Sequence, residues 1–414
     1  MERVILHSDF NNFYASVECL YNPSLRDKAV VVCGDVELRH GIVLAKNYVA
    51  KKLGIKTGDV IWQAQQKCTD LVVVPANFER YLRFSKLARK IYEDYTDKIE
   101  SFGIDECWLD VTQSSKIFGG GELIANTLRE RLKFELGITA SIGVSWNKIY
   151  AKLGSDMQKP DATVVISKEN YQSKIFHLPA SDLLYVGRAT FPKLKKFNIN
   201  TIGEIANADV KFLKERLGKW GEYIWTFANG LDTTSVSSNL AESIIKSVGN
   251  STTTVRDLKD ETDVKMIVSV LSESVASRLR EQGLKGQVIS LYLQDKNLQS
   301  FGKQMKIKEP TFLSAEIIKQ AMFIFKNFYD FTQPIRNVGV RVSDLSPANY
   351  PHQTSIFSSE KQRMKTEKME KAVDELRRRF GHFIIRRGIE YFDKNLTMLN
   401  PKQEHIIHPL SYFK

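Results

Sequence analysis

Lys98-Ile99-Glu100-Ser101-Phe102-Gly103-Ile104-Asp105-Glu106-Cys107-Trp108-Leu109-Asp110-Val111 decides how this sequence folds. Two strand-like stretches, 98–102 and 107–111, flank a short connection that carries two acids. Upstream, residues 81–95 have the spacing of an amphipathic helix, with Leu82, Leu87, Ile91 and Tyr95 as its apolar positions. Downstream, residues 124–136 read as a second helix stopped by Gly137, and 139–144 as a strand. Strands and helices around an acidic hairpin predict an α+β domain built on an antiparallel sheet.

Working outward, Val4, Ile5 and Leu6 begin a short strand that ends at Asp9, and residues 13–20 read as a helix. Residues 28–33 form a buried strand closed by Gly34, 42–53 carry helical periodicity, and 71–74 form another strand. A helix over 147–158 ends at Pro160. Residues 178–232 change to short helices punctuated by glycine, and 231–242, rich in Ser, Thr and Asn, form a linker. Strands at 252–255, 288–293, 303–307 and 338–342, with helices at 262–282 and 313–328, make an independent second α+β unit. A polar connector follows over 344–362, then a charged helix over 365–380.

With 414 residues the chain is long enough for roughly two to four folding units, since single cores rarely exceed ~250–300 residues. Hydrophobic residues at 43% and charged residues at 26% fit a globular protein and exclude disordered, collagen-like and coiled-coil classes. No apolar run approaches the ~18 residues of a membrane span, and the first residues turn polar too soon for a signal peptide. The cysteines Cys19, Cys33, Cys68 and Cys107 form no CxxC, which points to a reduced, cytoplasmic protein. Lys and Arg exceed Asp and Glu by 60 to 48, a net charge of +12. Such a balance suits a phosphate-bearing partner, although a lysine-coated surface gives the same number.

Asp9, Asp105 and Glu106 are the candidate chemistry. Carboxylate oxygens suit Mg²⁺, and two such ions promote phosphoryl transfer. Neighbours on a regular strand point to opposite faces, so Asp105 and Glu106 share a site only if the backbone bends at Gly103-Ile104. On spacing alone, three solvated surface acids are the better reading.

The surrounding words narrow this. His7-Ser8-Asp9-Phe10-Asn11-Asn12-Phe13-Tyr14-Ala15-Ser16-Val17-Glu18 resembles the opening motif of Y-family translesion DNA polymerases. Ile104-Asp105-Glu106-Cys107-Trp108-Leu109-Asp110 resembles that family's second acidic motif, and Asn147-Lys148, Ala151-Lys152, Ser155-Asp156 and Lys159-Pro160 its third block. The resemblance runs from residue 1 to about residue 345. It implies a right-hand fold: palm 1–10 and 79–166, fingers 11–78, helical thumb 167–235, linker 236–242, separate α+β little finger 243–345, and tail 346–414. The implied activity is template-directed addition of deoxynucleoside triphosphates to primer–template DNA, by a monomer with no membrane attachment. The alternative is a non-catalytic DNA- and clamp-binding scaffold of the same fold.

By the same resemblance, Asp9, Asp105, Glu106 and the Phe10 carbonyl hold two Mg²⁺ ions, with Mn²⁺ as substitute. Tyr14 is the steric gate against ribonucleotides, beside Phe13. Tyr48, Lys51 and Lys159 meet the triphosphate, and Gly34, Ile42 and Gly58 roof the nascent base pair. Lys148 and Lys152 fit that block or a solvated helix face. The family more often has Arg at position 51 and Asp at position 11. Lys51 keeps the charge but not the planar fork, and Asn11 is no carboxylate ligand.

Gly187 and Arg188 fall in a stretch resembling a helix-hairpin-helix, where free backbone N–H groups meet DNA phosphate; a plain helical hairpin is the alternative. Lys246, Ser247, Arg256, Arg336 and Arg341 are the implied little-finger contacts to the DNA backbone. Gln353, Ser355, Ile356 and Phe357 resemble the peptide that binds the sliding clamp, unless Ile356 and Phe357 fold back. The arginines at 377–379 and 386–387 fit either a solvated face or a further DNA contact.

Overall fold

The computed structural model describes residues 2–34, 41–238, 245–349 and 360–401. They fall into two units, one within residues 1–242 and one within 243–406. The first runs β1 (Ile5–Phe10), α1 (Phe13–Tyr21), β2 (Val30–Cys33), β3 (Val43–Lys46), α2 (Tyr48–Lys52), α3 (Ile61–Lys67), β4 (Val72–Pro75), α4 (Phe78–Glu93), β5 (Ile99–Ser101) and β6 (Glu106–Asp110). It continues with α5 (Gly121–Leu136), β7 (Ala140–Ser145), α6 (Lys148–Met157), β8 (Thr163–Val165), α7 (Tyr171–Ile175), α8 (Phe191–Lys195), α9 (Ile202–Asn207), α10 (Val210–Leu217) and α11 (Lys219–Ala228).

The main sheet has the order β5-β6-β1-β7-β8, antiparallel except for the β7–β8 pair. The acidic hairpin thus sits beside β1. Helices α4 and α5 cover one face through Tyr81, Ala88, Tyr92, Leu128 and Leu132, all at or near zero exposure. Each fully buried aliphatic or aromatic side chain contributes roughly 1.5–3 kcal/mol. Asn77 and Gly137 mark the ends of this layer: Asn77 Oδ1 accepts from Arg80 N at 3.1 Å, and Gly137 closes α5 at φ 71°.

A smaller sheet, β3-β2-β4, carries the fingers candidates. Residues 42–53 are not one helix: 43–46 pair antiparallel with β2, and only 48–52 are helical. A short apolar run does not distinguish strand from helix, and here the edge of β2 supplies the partner. Asn47 makes the switch, its Oδ1 accepting from Ala50 N at 3.0 Å and Val30 N at 3.1 Å.

The second unit runs β9 (Ser247–Leu258), α12 (Glu261–Glu281), β10 (Leu284–Asp295), β11 (Ser300–Thr311), α13 (Ser314–Phe328), β12 (Ile335–Pro347), α14 (Glu360–Phe380) and α15 (Lys394–Thr397). Its antiparallel sheet has the order β11-β10-β12-β9. Val248, Ile289, Leu291, Val340 and Val342 pack with α12 and α13 on one face. Alternate residues, among them Ser247, Ser251, Ser290 and Arg341, occupy the other face.

This unit does not end at 345. Glu370 accepts from Ser314 N at 3.0 Å and pairs with Arg280, which also reaches Asp374 at 2.6 Å. Leu396 joins the core. The basic segment is mostly internal: Arg377 pairs with Glu273 at 2.7 Å, Arg387 with Glu273, and Arg386 with Glu390 at 3.0 Å.

Candidate active site

Side chains on β1 alternate between two environments. Leu6 and Phe10 enter the α4–α5 core, and Ser8 Oγ lies 2.9 Å from Tyr92 Oη. On the α6 side, Ile5 packs with Trp108 and Ala151, and His7 Nδ1 lies 2.8 Å from Ser155 Oγ. Asp9 Oδ2 accepts from Lys152 Nζ at 3.1 Å. This face grades from apolar to acidic along one strand. Helix α6 comes so near because two glycines meet: a Cβ on Gly143 would lie 1.9 Å from the Ala151 carbonyl oxygen, and one on Gly154 3.1 Å from Gly143 Cα.

Asp9 and Glu106 stand opposite each other across β1 and β6, a like-charge pairing that is unfavourable alone. Two lysines offset it. Lys152 Nζ lies 3.1 Å from Asp9, 3.2 Å from Glu106 and 3.0 Å from Asp156. Lys159 Nζ lies 2.8 Å from Asp9 and 2.9 Å from Asp156. Asp105 precedes β6 in a bend, where its carbonyl accepts from Phe10 N at 3.1 Å. Adjacent acids therefore need not face opposite ways.

Burial, then the charges of Glu106 and Asp9, push the Asp105 carboxyl up to about 7. Burial also acts upward on Glu106, but the His7 ring, its Nε2 3.5 Å from Oε2, and the Lys152 charge outweigh it and hold that carboxyl below its usual range. Burial pushes the His7 pKa down, so its ring is neutral beside Glu106. Lys152 and Lys159 are raised: burial opposes their charge, and Asp9 with the other acids overcomes it.

Among the described residues, no three His, Cys, Asp or Glu side chains already converge as a cation site, because the two ammonium groups stand between the acids. The donors still fit a hard divalent ion. They are all oxygen, and Glu106 Oε2 is buried without a well-directed hydrogen bond although Lys152 is near it.

A cavity of about 300 Å³ opens over these acids, lined by Asp9, Phe10, Phe13, Asp105, Glu106, Lys152, Asp156 and Lys159 and by Lys46, Tyr48, Lys51 and Thr57 from the fingers. The structure thus gathers the metal and triphosphate candidates. Lys152 is no solvated face, at 12% side-chain exposure, whereas Lys148 is taken up by Glu100 at 2.6 Å. Asn11 bonds Ser141 Oγ at 3.1 Å and accepts from Asp161 N at 2.8 Å. Gly34, Ile42 and Gly58 are outside the cavity lining.

Tyr14 is also outside that lining; it stacks on Tyr81 with ring centroids 4.3 Å apart and planes 10° apart. Tyr81 Oη donates to Glu18 at 2.9 Å, and Arg80 reaches the same carboxylate at 2.7 Å. Burial, then the Asp105 charge, raises the Tyr14 phenol to about 12. The sequence gives no role to Lys46 or Tyr81, and it shows Asp156 and Glu18 only as letters within motifs. Of these, Asp156 carries a local signal, four residues from Lys152 and three from Lys159.

Gly187 and Arg188 are exposed at a turn, where Tyr185 takes φ 72°, a conformation suited to glycine. Lys246, Ser247 and Arg341 are exposed and Arg336 half-buried. Arg256 is not an open contact: it pairs with Asp263 at 2.7 Å and Asp393 at 2.8 Å within its own unit. Gln353, Ser355, Ile356 and Phe357 lie outside the described residues.

Paired acids on central strands, lysines among them and a basic second unit are what a protein that transfers nucleotidyl groups would need. The impB/mucB/samB family model matches residues 8–156, and the model of that family's C-terminal domain matches 245–356. A DNA polymerase IV of Acetivibrio thermocellus is 51% identical over 96% of this chain and 100% of its own length. One from Clostridium kluyveri is 34% identical over 94% of this chain and 98% of its own. A solved Y-family DNA polymerase chimera has the same fold, with a TM-score of 0.72 at 24% identity, covering 82% of this chain and 98% of that one. The chain belongs to the impB/mucB/samB family, alongside DNA polymerase IV.

Proposed function

We propose that this chain is a template-directed DNA polymerase that adds deoxynucleotides to a primer 3′-hydroxyl and serves synthesis past damaged template bases. The observation that carries the reading is one cavity holding Asp9, Asp105 and Glu106 on its floor and Tyr48 and Lys51 on its wall. In this reading Asp9, Asp105, Glu106 and the Phe10 carbonyl hold two divalent ions, Mg²⁺ or Mn²⁺. Such ions, when bound, supply the positive charge that activates the attacking oxygen and stabilises the leaving pyrophosphate.

The remaining work falls to the chain itself. Lys152 and Lys159 keep the acids together before substrate arrives, and Lys159 then turns with Tyr48 and Lys51 to the triphosphate. Tyr14, backed by Tyr81, excludes a ribose 2′-hydroxyl by contact. Gly187 and Arg188 on the thumb, and Lys246, Ser247, Arg336 and Arg341 on the little finger, hold the DNA backbone without reading sequence. A scaffold without catalysis is disfavoured, because it has no use for three acids and the lysines that neutralise them. The tether to a sliding clamp through Gln353, Ser355, Ile356 and Phe357, the monomeric state and a cytoplasmic location are parts of the same proposal. No helix among the described residues is long and apolar enough to cross a membrane.

Primer extension with Mg²⁺ and four deoxynucleotides tests the reading. The chain should extend a primed template, and Asp105→Asn with Glu106→Gln should abolish extension. No extension by the intact chain would overturn it.

A further inference from the structure

The four lysines around the cavity divide by partner. Lys152 and Lys159 are within ion-pair distance of Asp9 and Asp156. Lys46 and Lys51 line the fingers wall, and among the described residues neither is ion-paired to a carboxylate. Lys46 Nζ donates to Thr57 Oγ1 at 3.0 Å, and Lys51 Nζ lies 5.6 Å from the centre of the Tyr48 ring. Among the described residues, then, neither ammonium is committed to a carboxylate.

The backbone around Lys46 is held from both sides. Its strand pairs with β2, with Lys46 opposite Val31. Asn12, the N-cap of α1, would with its amide turned over donate to the Lys46 carbonyl and accept from Tyr48 N, both at 3.3 Å. That would tie the wall to the turn that follows the strand carrying Asp9. Burial, then the Lys51 charge, lowers the Lys46 pKa, and the Asp59 charge offsets them only in part. A polyanion relieves that repulsion.

We propose that Lys46 is a nucleotide-binding residue, pairing with Lys51 to hold the terminal phosphates of the incoming triphosphate. A single ammonium is a point charge, whereas polyphosphate recognition gains from two donors in fixed relation. Two neighbouring lysines supply the second point that Lys51 alone lacks. Among the described residues, the cavity lining contains no arginine that could do so.

This assignment rests on the polymerase reading, and the test separates the two. Single-nucleotide insertion is measured for wild type, Lys46→Met and Lys46→Arg, with the melting temperature recorded for each. Lys46→Met should raise the KM for deoxynucleotide roughly 10-fold or more, with kcat within about 3-fold. Inhibition by inorganic pyrophosphate should weaken by a similar factor, and Lys46→Arg should recover most of both. An unchanged KM and pyrophosphate inhibition in Lys46→Met would overturn the assignment. So would a fall in kcat alone, or a loss that Lys46→Arg does not repair. Wild type failing to insert any nucleotide would instead overturn the polymerase reading itself.

Discussion

Gly143→Ala tests whether the packing of α6 on the sheet sets the chemistry. The new Cβ would stand 1.9 Å from the Ala151 carbonyl oxygen and 2.6 Å from Ser155 N. Both are backbone atoms, so no side chain can rotate away. Relief requires α6 to move by about 1 Å, and overpacking of this kind costs about 3 kcal/mol. In a unit of roughly 200 residues that lowers Tm by about 6–12 °C. The shift matters for function because the same helix carries Lys152, 3.1 Å from Asp9 and 3.2 Å from Glu106. Displacing catalytic geometry by about 1 Å costs on the order of 10²-fold in rate. Thermal scans at one fixed rate, paired with primer extension, measure both effects. Gly302→Ala, where nothing lies within 4 Å of the added carbon, is the control. A Gly143→Ala protein that melts within about 1 °C of wild type and extends primers at full rate would refute the reasoning.

Tyr81→Leu removes the ring stacked on Tyr14 and should admit ribonucleotides about 10-fold more readily; unchanged discrimination in competing single insertions would free Tyr14 from that support. Arg341→Ala should weaken DNA binding on every sequence and lower the salt slope by about 0.9. Arg256→Ala, breaking the pairs with Asp263 and Asp393, should instead lower the melting temperature of the second unit and leave that slope alone; fluorescence anisotropy across a salt series separates the two. The Asp105 pKa of about 7 gives a pH dependence. Below that pH the carboxyl is protonated and a poor ligand, so divalent-ion affinity should fall as pH drops through 7, with uptake of one ion expelling about one proton. Because the folded value lies above the ordinary 3.8, the metal-free protein loses stability as pH rises between the two values, and not above. Calorimetric titrations at pH 6 and 8 check this, and a pH-independent affinity would contradict it.

The sheet carrying Asp9 and Glu106 was legible because its strands are apolar, short and bounded by turn residues, and α4, α5 and α6 because their periodicity and ends agree. The strand 43–46 was not, since Ile42-Val43-Leu44-Ala45 suits either period until β2 offers an edge. Lys46 was hidden for the same reason: a lysine inside an expected helix has no evident claim on the site. Residues 360–401 read as a charged tail because α14 is mostly charged, and its apolar residues Met364, Met369, Leu376 and Phe380 stay exposed. Its attachment is through ion pairs such as Arg280 with Asp374, which apolar periodicity does not reveal. Arg256 read as a DNA contact for the converse reason, since its partners Asp263 and Asp393 meet it only in the folded unit. Motif words located the acids and both lysines, but not the ion pairs between them, nor the stacking of Tyr14 on Tyr81.

The claim on which the rest depends is that Asp9, Asp105 and Glu106 together hold the divalent ions of nucleotidyl transfer. Electron paramagnetic resonance of Mn²⁺ titrated into the full complex measures it: intact chain, primer–template ending in a dideoxynucleotide, and the next deoxynucleoside triphosphate. The account predicts about two bound ions per chain, and at least one fewer in Glu106→Gln at unchanged DNA occupancy. Equal ion counts in the two proteins would contradict it.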